Sequence, residues 1–103
     1  MASRRLDLSA QGLAGTISPA IGNLTFLRSL NLSFNGLRGV IPPSIGSLRR
    51  LQQLDLGVNM LAGVIPTNIS RCTSLRVLCI YSNKGGAGKH PGRDWQHAVA
   101  CCS

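Results

Sequence analysis

Acidic residues are scarce in this chain. Three Asp and no Glu stand against 11 Lys and Arg, which leaves a formal net charge of +8. With carboxylates only at Asp7, Asp55 and Asp94, the paired acid and base of many hydrolytic sites have little to be built from. Aromatic residues make up 4% of the chain, so a core must be aliphatic. The same scarcity argues against a nucleic-acid surface, which combines basic runs with stacking aromatics. Uninterrupted apolar runs are only a few residues long, short of the ~20 residues of a membrane-spanning helix. Met1-Ala2-Ser3-Arg4-Arg5-Leu6-Asp7 lacks the apolar stretch of ~7–15 residues expected of a secretory signal. Disorder is disfavoured by a hydrophobic content of 44%. What is left is one small, basic unit rich in Leu and Ile, with 103 residues to build it.

A period of 24 residues runs through that unit. Leu6, Leu30, Leu54 and Leu78 share one column, and Leu8, Leu32, Leu56 and Ile80 a second. Leu13, Leu37 and Leu61 follow, then Gly15, Gly39 and Gly63, then Ile17, Ile41 and Ile65. Further columns hold Ile21, Ile45 and Ile69, then Leu24, Leu48 and Cys72, then Leu27, Leu51 and Leu75. The register is unbroken from Arg4 to Asn83. A fixed period of this size signals a stacked-repeat architecture.

Each unit has a physical reading. Leu30-Asn31-Leu32 alternates apolar and polar, as a short strand with one buried face does. Asn35, Asn59 and Asn83 end the strands, where an inward amide can bond backbone groups of adjacent units. Gly39 and Gly63 permit tight bends. Pro42 and Pro66 fix an extended path. Ser44-Ile45-Gly46-Ser47-Leu48 is too short for an α-helix and suits a 3₁₀ turn. No unit covers its own apolar face, so stacking must supply the core.

The string L-x-x-L-x-L-x-x-N-x-L-x-G-x-I-P resembles the plant-type leucine-rich repeat. Gly15 to Leu27, reading G-T-I-S-P-A-I-G-N-L-T-F-L, is similar to the first ectodomain repeats of plant leucine-rich-repeat receptor-like serine/threonine kinases. The resemblance spans residues 4–83. It implies an α/β solenoid of about three and a third repeats, with short parallel strands on the concave face and 3₁₀ turns on the convex side. The repeats run at about 4–27, 28–51 and 52–75, with a partial unit at 76–83; the array occupies 1–83 and an irregular, disordered Gly-rich basic tail 84–103. Repeat one departs from the pattern with Gln11 in place of Asn and Ser18 in place of Pro. No capping segment with paired Cys, membrane helix or kinase domain is legible, so a fragment or truncated relative without enzyme activity is expected.

The resemblance implies a non-catalytic module that recognises a protein or peptide ligand, or a co-receptor, in signalling or defence at the cell surface or outside the cell. A soluble inhibitor-type repeat protein or a nonfunctional receptor remnant is the alternative. Outward strand positions nominate a concave binding face: Arg28, Ser29, Asn31, Ser33, Phe34, Gln52, Gln53, Asp55, Arg76 and Tyr81. Three sequons nominate Asn23, Asn68 and Asn31 as N-glycan acceptors, Asn31 at the cost of obstructing that face. No cofactor and no nucleic acid is expected, and uncapped ends are expected to promote self-association.

Other chemistry fares worse. Lys84-Gly85-Gly86-Ala87-Gly88-Lys89 resembles the variant phosphate loop of partitioning-type ATPases. His90 stands where a magnesium-binding hydroxyl should be, however, and Pro91-Gly92 stops any following helix. A nucleotide-binding fragment is therefore the distant alternative. Cys72 sits in a Leu column and reads as a small core residue, and Cys79 reads as outward-facing. Cys101 and Cys102, even with His90 and His97, match no zinc spacing. Asp7 and Asp55 share a column two repeats apart, about 10 Å at ~4.8 Å per strand, with no base or nucleophile beside them. Trp95 is a candidate cover for the open end of the stack.

Overall fold

The computed structural model describes residues 4–89 and 100–102. Strands β1 (Arg5–Asp7), β3 (Ser29–Asn31), β5 (Gln53–Asp55) and β7 (Val77–Cys79) lie side by side and parallel. Leu6 pairs with Leu30, Leu30 with Leu54 and Leu54 with Leu78. The 24-residue period is thus the pairing register. A slip of one residue would turn every Leu outward.

A second parallel sheet, formed by β2 (Ala14–Thr16), β4 (Gly36–Gly39), β6 (Asn59–Val64) and β8 (Asn83–Lys89), was not anticipated. Asn59 and Asn83, expected to end strands, begin β6 and β8, and β4 begins just beyond Asn35, where only bends were expected. Gly39 and Gly63 do bend the chain there, with φ of +78° and +77°, a region costly for side chains with a Cβ.

Three 3₁₀ turns, Pro19–Asn23, Pro43–Ser47 and Thr67–Arg71, form the opposite wall. Pro42 and Pro66 lead into the second and third. At the equivalent position of the first, the Ser18 hydroxyl accepts a bond from the Ala20 amide, so this departure from Pro supplies a polar cap instead. The turns stack closely: a Cβ on Gly46 would lie 2.5 Å from the Asn68 carbonyl oxygen.

The core fills the space between these walls. Leu27, Leu30, Leu48, Leu51, Leu54, Leu56, Leu61 and Leu78 are all essentially sealed from water. Each such side chain contributes about 1.5–3 kcal/mol of burial. The outermost unit is different. Leu6, Leu8, Leu13, Ile21 and Leu24 are only partly covered, and an apolar groove of about 390 Å³ opens along Leu13, Ile17, Ile21 and Leu24.

The Asn column holds neighbouring units together. Asn59 Nδ2 donates to the carbonyls of Leu32, Leu56 and Gly57, and its Oδ1 accepts from the Leu37 amide. Asn35 and Asn83 repeat the pattern one unit either side, Asn35 accepting from both Gln11 and Leu13. Gln11 itself stays exposed and donates to the Ser9 carbonyl. The residue before each column position, Ala10, Phe34, Val58 or Ser82, has φ between 53° and 56°. This left-handed conformation costs about 1–3 kcal/mol in a residue other than Gly. It recurs in four different residue types, so the repeat imposes it, to swing the following side chain inward.

Beyond Asn83 the expected irregular tail is in part regular. Asn83–Lys89 is the bulged strand β8 beside β6, and β9 (Ala100–Cys102) pairs with β7 as a fifth strand of the first sheet. Asp94, Trp95, His90 and His97 lie outside the described residues. No helix among the described residues is long and apolar enough to cross a membrane.

Candidate functional site

The outer surface of the first sheet presents parallel rows of side chains, one residue from each repeat. The backbone ladder extends past both ends of the strands. The Arg28 amide donates to the Arg4 carbonyl, Gln52 to Arg28 and Arg76 to Gln52. Arg4, Arg28, Gln52 and Arg76 therefore form a row with ~4.8 Å between neighbours. Beside it, Arg4, Arg5, Arg28, Ser29, Gln52 and Gln53 line a shallow groove of about 260 Å³.

At the far end of the strands the Phe34 amide donates to the Gly57 carbonyl and the Val58 amide to the Tyr81 carbonyl. Phe34, 57% exposed, and Met60, 52% exposed, are large apolar side chains given to solvent. Val58 and Met60 line a groove of about 480 Å³ together with Asn35, Asn59 and Ser82. The Tyr81 ring lies over Gly57, where a Cβ would meet Cε1 at 2.5 Å. Glycine at that position lets the ring lie flat across the repeat.

Between these rows runs a column whose side chains fold back on their own loops. Asp7 Oδ1 accepts from the Ser9 amide at 3.0 Å and from its hydroxyl at 2.6 Å. The hydroxyl bond, then the amide bond, holds the Asp7 carboxyl below the usual carboxylate range. Asn31 Oδ1 receives the same two bonds from Ser33, and Asp55 Oδ1 one from the Gly57 amide. Asp7 and Asp55 thus close turns.

Two candidate positions need correction. Ser33 was expected on the open face, but it is 3% exposed. Its hydroxyl is drawn down to Asn31, which makes it part of the turn. Cys79 was expected to face outward; it is buried and disulfide-bonded, because β9 lies beside β7 rather than leaving that edge open. The remaining candidates separate by exposure. Arg28, Phe34, Gln53 and Arg76 are exposed, and Ser29, Asn31, Gln52, Asp55 and Tyr81 are partly so.

The Gly-rich stretch, which carried only the distant nucleotide-binding alternative, runs as the strand β8, with Gly85 and Gly86 opposite Ala62. An extended, paired backbone does not converge its amides on an anion as a phosphate loop does. Among the described residues no three of His, Cys, Asp and Glu group as metal ligands.

Of the sequons, Asn23 ends the first 3₁₀ turn and is exposed, Asn68 is half-buried above Gly46, and Asn31 is engaged by the buried Ser33. Cys72 is a free thiol in the core that donates to the Ile45 carbonyl at 3.2 Å. Burial pushes its pKa up to about 11. The folded state therefore holds this proton more tightly than the unfolded state. That stabilisation is fully present below the unfolded thiol value of about 8.5 and is lost as pH rises towards about 11. Urea midpoints should fall between pH 8 and pH 10.5 in the wild type and fall less in Cys72→Ala.

Comparison with known proteins agrees with this architecture. The family model described as "Leucine rich repeat" matches residues 25–84. No curated protein sequence matches the chain. Among solved structures, the ectodomain of the receptor kinase SOBIR1 from Arabidopsis thaliana is 44% identical, with a TM-score of 0.71 over 76% of this chain and 42% of that one. The BIR3–SERK2 complex from Arabidopsis thaliana gives 38% identity and 0.70 over 82% of this chain and 44% of the matched one. PEPR1 with AtPEP1 gives 29% and 0.79 over 94% of this chain and 14% of that one. The chain thus spans less than half the length of each of these neighbours. Stacked parallel strands, inward Asn ladder, 3₁₀ wall and family match lead to one conclusion: the chain belongs to the leucine-rich repeat family, in the form found in plant receptor-kinase ectodomains.

Proposed function

We propose that this protein-interaction module uses the concave sheet to bind an extended protein or peptide partner, as part of ligand sensing in signalling or defence. The observation that carries the reading is the set of large side chains this sheet holds in solvent. Phe34 is kept exposed in a left-handed backbone conformation, while Arg28, Arg76 and Gln53 project beside it. A surface that leaves large apolar area in water is suited to a partner that covers it. The neighbours solved as complexes, BIR3 with SERK2 and PEPR1 with AtPEP1, support the reading. Asn23 is the sequon best placed for a glycan, on the convex side away from that sheet.

A displayed library of random decapeptides tests this. Selection on the wild-type protein should enrich binders that fail on Ser29→Trp and Gln53→Trp, which fill the middle of the face, and survive on Arg49→Trp, an exposed position after the second 3₁₀ turn. Binders indifferent to both concave changes would overturn the proposal.

A further inference from the structure

We infer that the concave face takes a peptide of alternating acidic and apolar residues, laid along the solenoid axis between the arginine row and the Phe34–Val58 row. This deepens the recognition reading and rests on it.

Three observations select that chemistry. First, one border of the face is cationic, with Arg4, Arg28 and Arg76 in one row and no carboxylate among the described members of that row. The carboxylates among the described residues are Asp7 and Asp55, which lie in the column between the two borders, each with Oδ1 tied to its own loop by Ser9 or Gly57. Arg4, Arg28 and Arg76 share a row and border or adjoin the groove of about 260 Å³. The chain as a whole carries +8, so an acidic partner is also the one drawn in at long range.

Second, the opposite border is apolar. Phe34 and Met60 are more than half exposed, and Val58 joins Met60 along the groove of about 480 Å³. Third, the arginine row and the Phe34–Val58 row are parallel, because the same backbone ladder passes through both; Met60 flanks Val58 from the second sheet, where it pairs with Arg38. A peptide lying between them in extended form sends successive side chains to opposite sides. Residues on one side recur every ~6.8 Å. Two carboxylates at that spacing fall within reach of Arg28 and Arg76, which are ~10 Å apart across two strand steps. Gln52 lies between them as a neutral donor. The intervening residues meet Phe34, Val58 and Met60. An uninterrupted acidic run would waste half of its charges on the apolar border, and an uninterrupted apolar run would leave the arginines unpaired.

The test uses the full chain and three labelled, end-blocked octapeptides: alternating Asp–Leu, alternating Lys–Leu, and a block of four Asp followed by four Leu. Fluorescence anisotropy should show binding of the alternating Asp–Leu peptide alone. That binding should weaken about tenfold in Arg28→Glu and about tenfold in Phe34→Ser, should weaken on raising salt, and should be unchanged in Arg49→Glu. Both test residues are exposed, and Phe34→Ser removes no core contact, so these variants should fold; matching thermal melts would show that they do. Equal binding of the block or the Lys–Leu peptide would overturn the inference. Binding of any peptide that responds to Phe34→Ser but not to Arg28→Glu would overturn the acidic pairing while leaving peptide recognition by this face intact. Indifference of every peptide to both variants would sink the inference together with the reading beneath it. Self-association abolished by Phe34→Ser, seen by sedimentation, would assign the face to a second copy and overturn the peptide occupant.

Discussion

Replacing Asn59 by Asp should destabilise the protein by about 3 kcal/mol or more, although the side chain keeps its size and shape. The amide donates to three carbonyls and accepts from one N–H, at distances of 3.0–3.2 Å, and the residue is 3% exposed. A carboxylate can still accept from Leu37, but it has no proton for Leu32, Leu56 and Gly57. It would set a buried negative oxygen against their three carbonyl oxygens. Asn59→Ala loses all four bonds yet buries no charge, so it should be no worse than Asp. Asn23→Asp, on the exposed convex side, should stay within about 0.5 kcal/mol. Urea unfolding of the three variants reads the order directly. An Asn59→Asp protein as stable as the wild type would show that the ladder does not join the repeats.

Leu54→Ala should cost about 2–5 kcal/mol, while its neighbour Gln53→Ala stays within about 0.5. Leu54 is 1% exposed and lies between Leu30 and Leu78 in the sheet, so the cavity left behind is walled by units on both sides and collapses poorly. A domain of this length has about 5–15 kcal/mol in total. The single change therefore removes a large share of stability and should lower the urea midpoint visibly. Leu6→Ala makes a useful contrast. The same column position in the first repeat is only partly buried, with a neighbour on one side in the sheet, so it should cost clearly less than Leu54→Ala. Equal costs for Leu6, Gln53 and Leu54 would contradict the stacking order.

The repeat register, the strand positions, the Asn column, the 3₁₀ turns and the core membership of Cys72 were all legible from spacing alone. Each is a contact between equivalent positions of adjacent units, so a period in the chain is directly a neighbour in space. The second sheet was missed because its strands, such as Gly36-Leu37-Arg38-Gly39, are Gly-rich and carry weak strand propensity. They are strands because each lies against its equivalent, not because of their composition. Ser33 was misplaced for a related reason. Alternation puts it outside, and only the fold-back of Asn31 takes it in. Met60 was overlooked because Leu13 and Leu37 one residue further on dominate the pattern; the exposed end of β6 beside Val58 gives it a role.

A fixed 24-residue period in Leu, Ile, Asn and Gly was enough to specify a solenoid, since no unit can bury its apolar face except against a copy of itself. Which outward residues form a surface was decided later, by the pairing of strands. Pairing is what sets Arg28 beside Arg4 and Gln52, puts Phe34 next to Val58 and lays Tyr81 on Gly57. Charge and exposure belong to side chains brought together from different repeats, and that grouping depends on sheet register and loop geometry rather than on nearness along the chain.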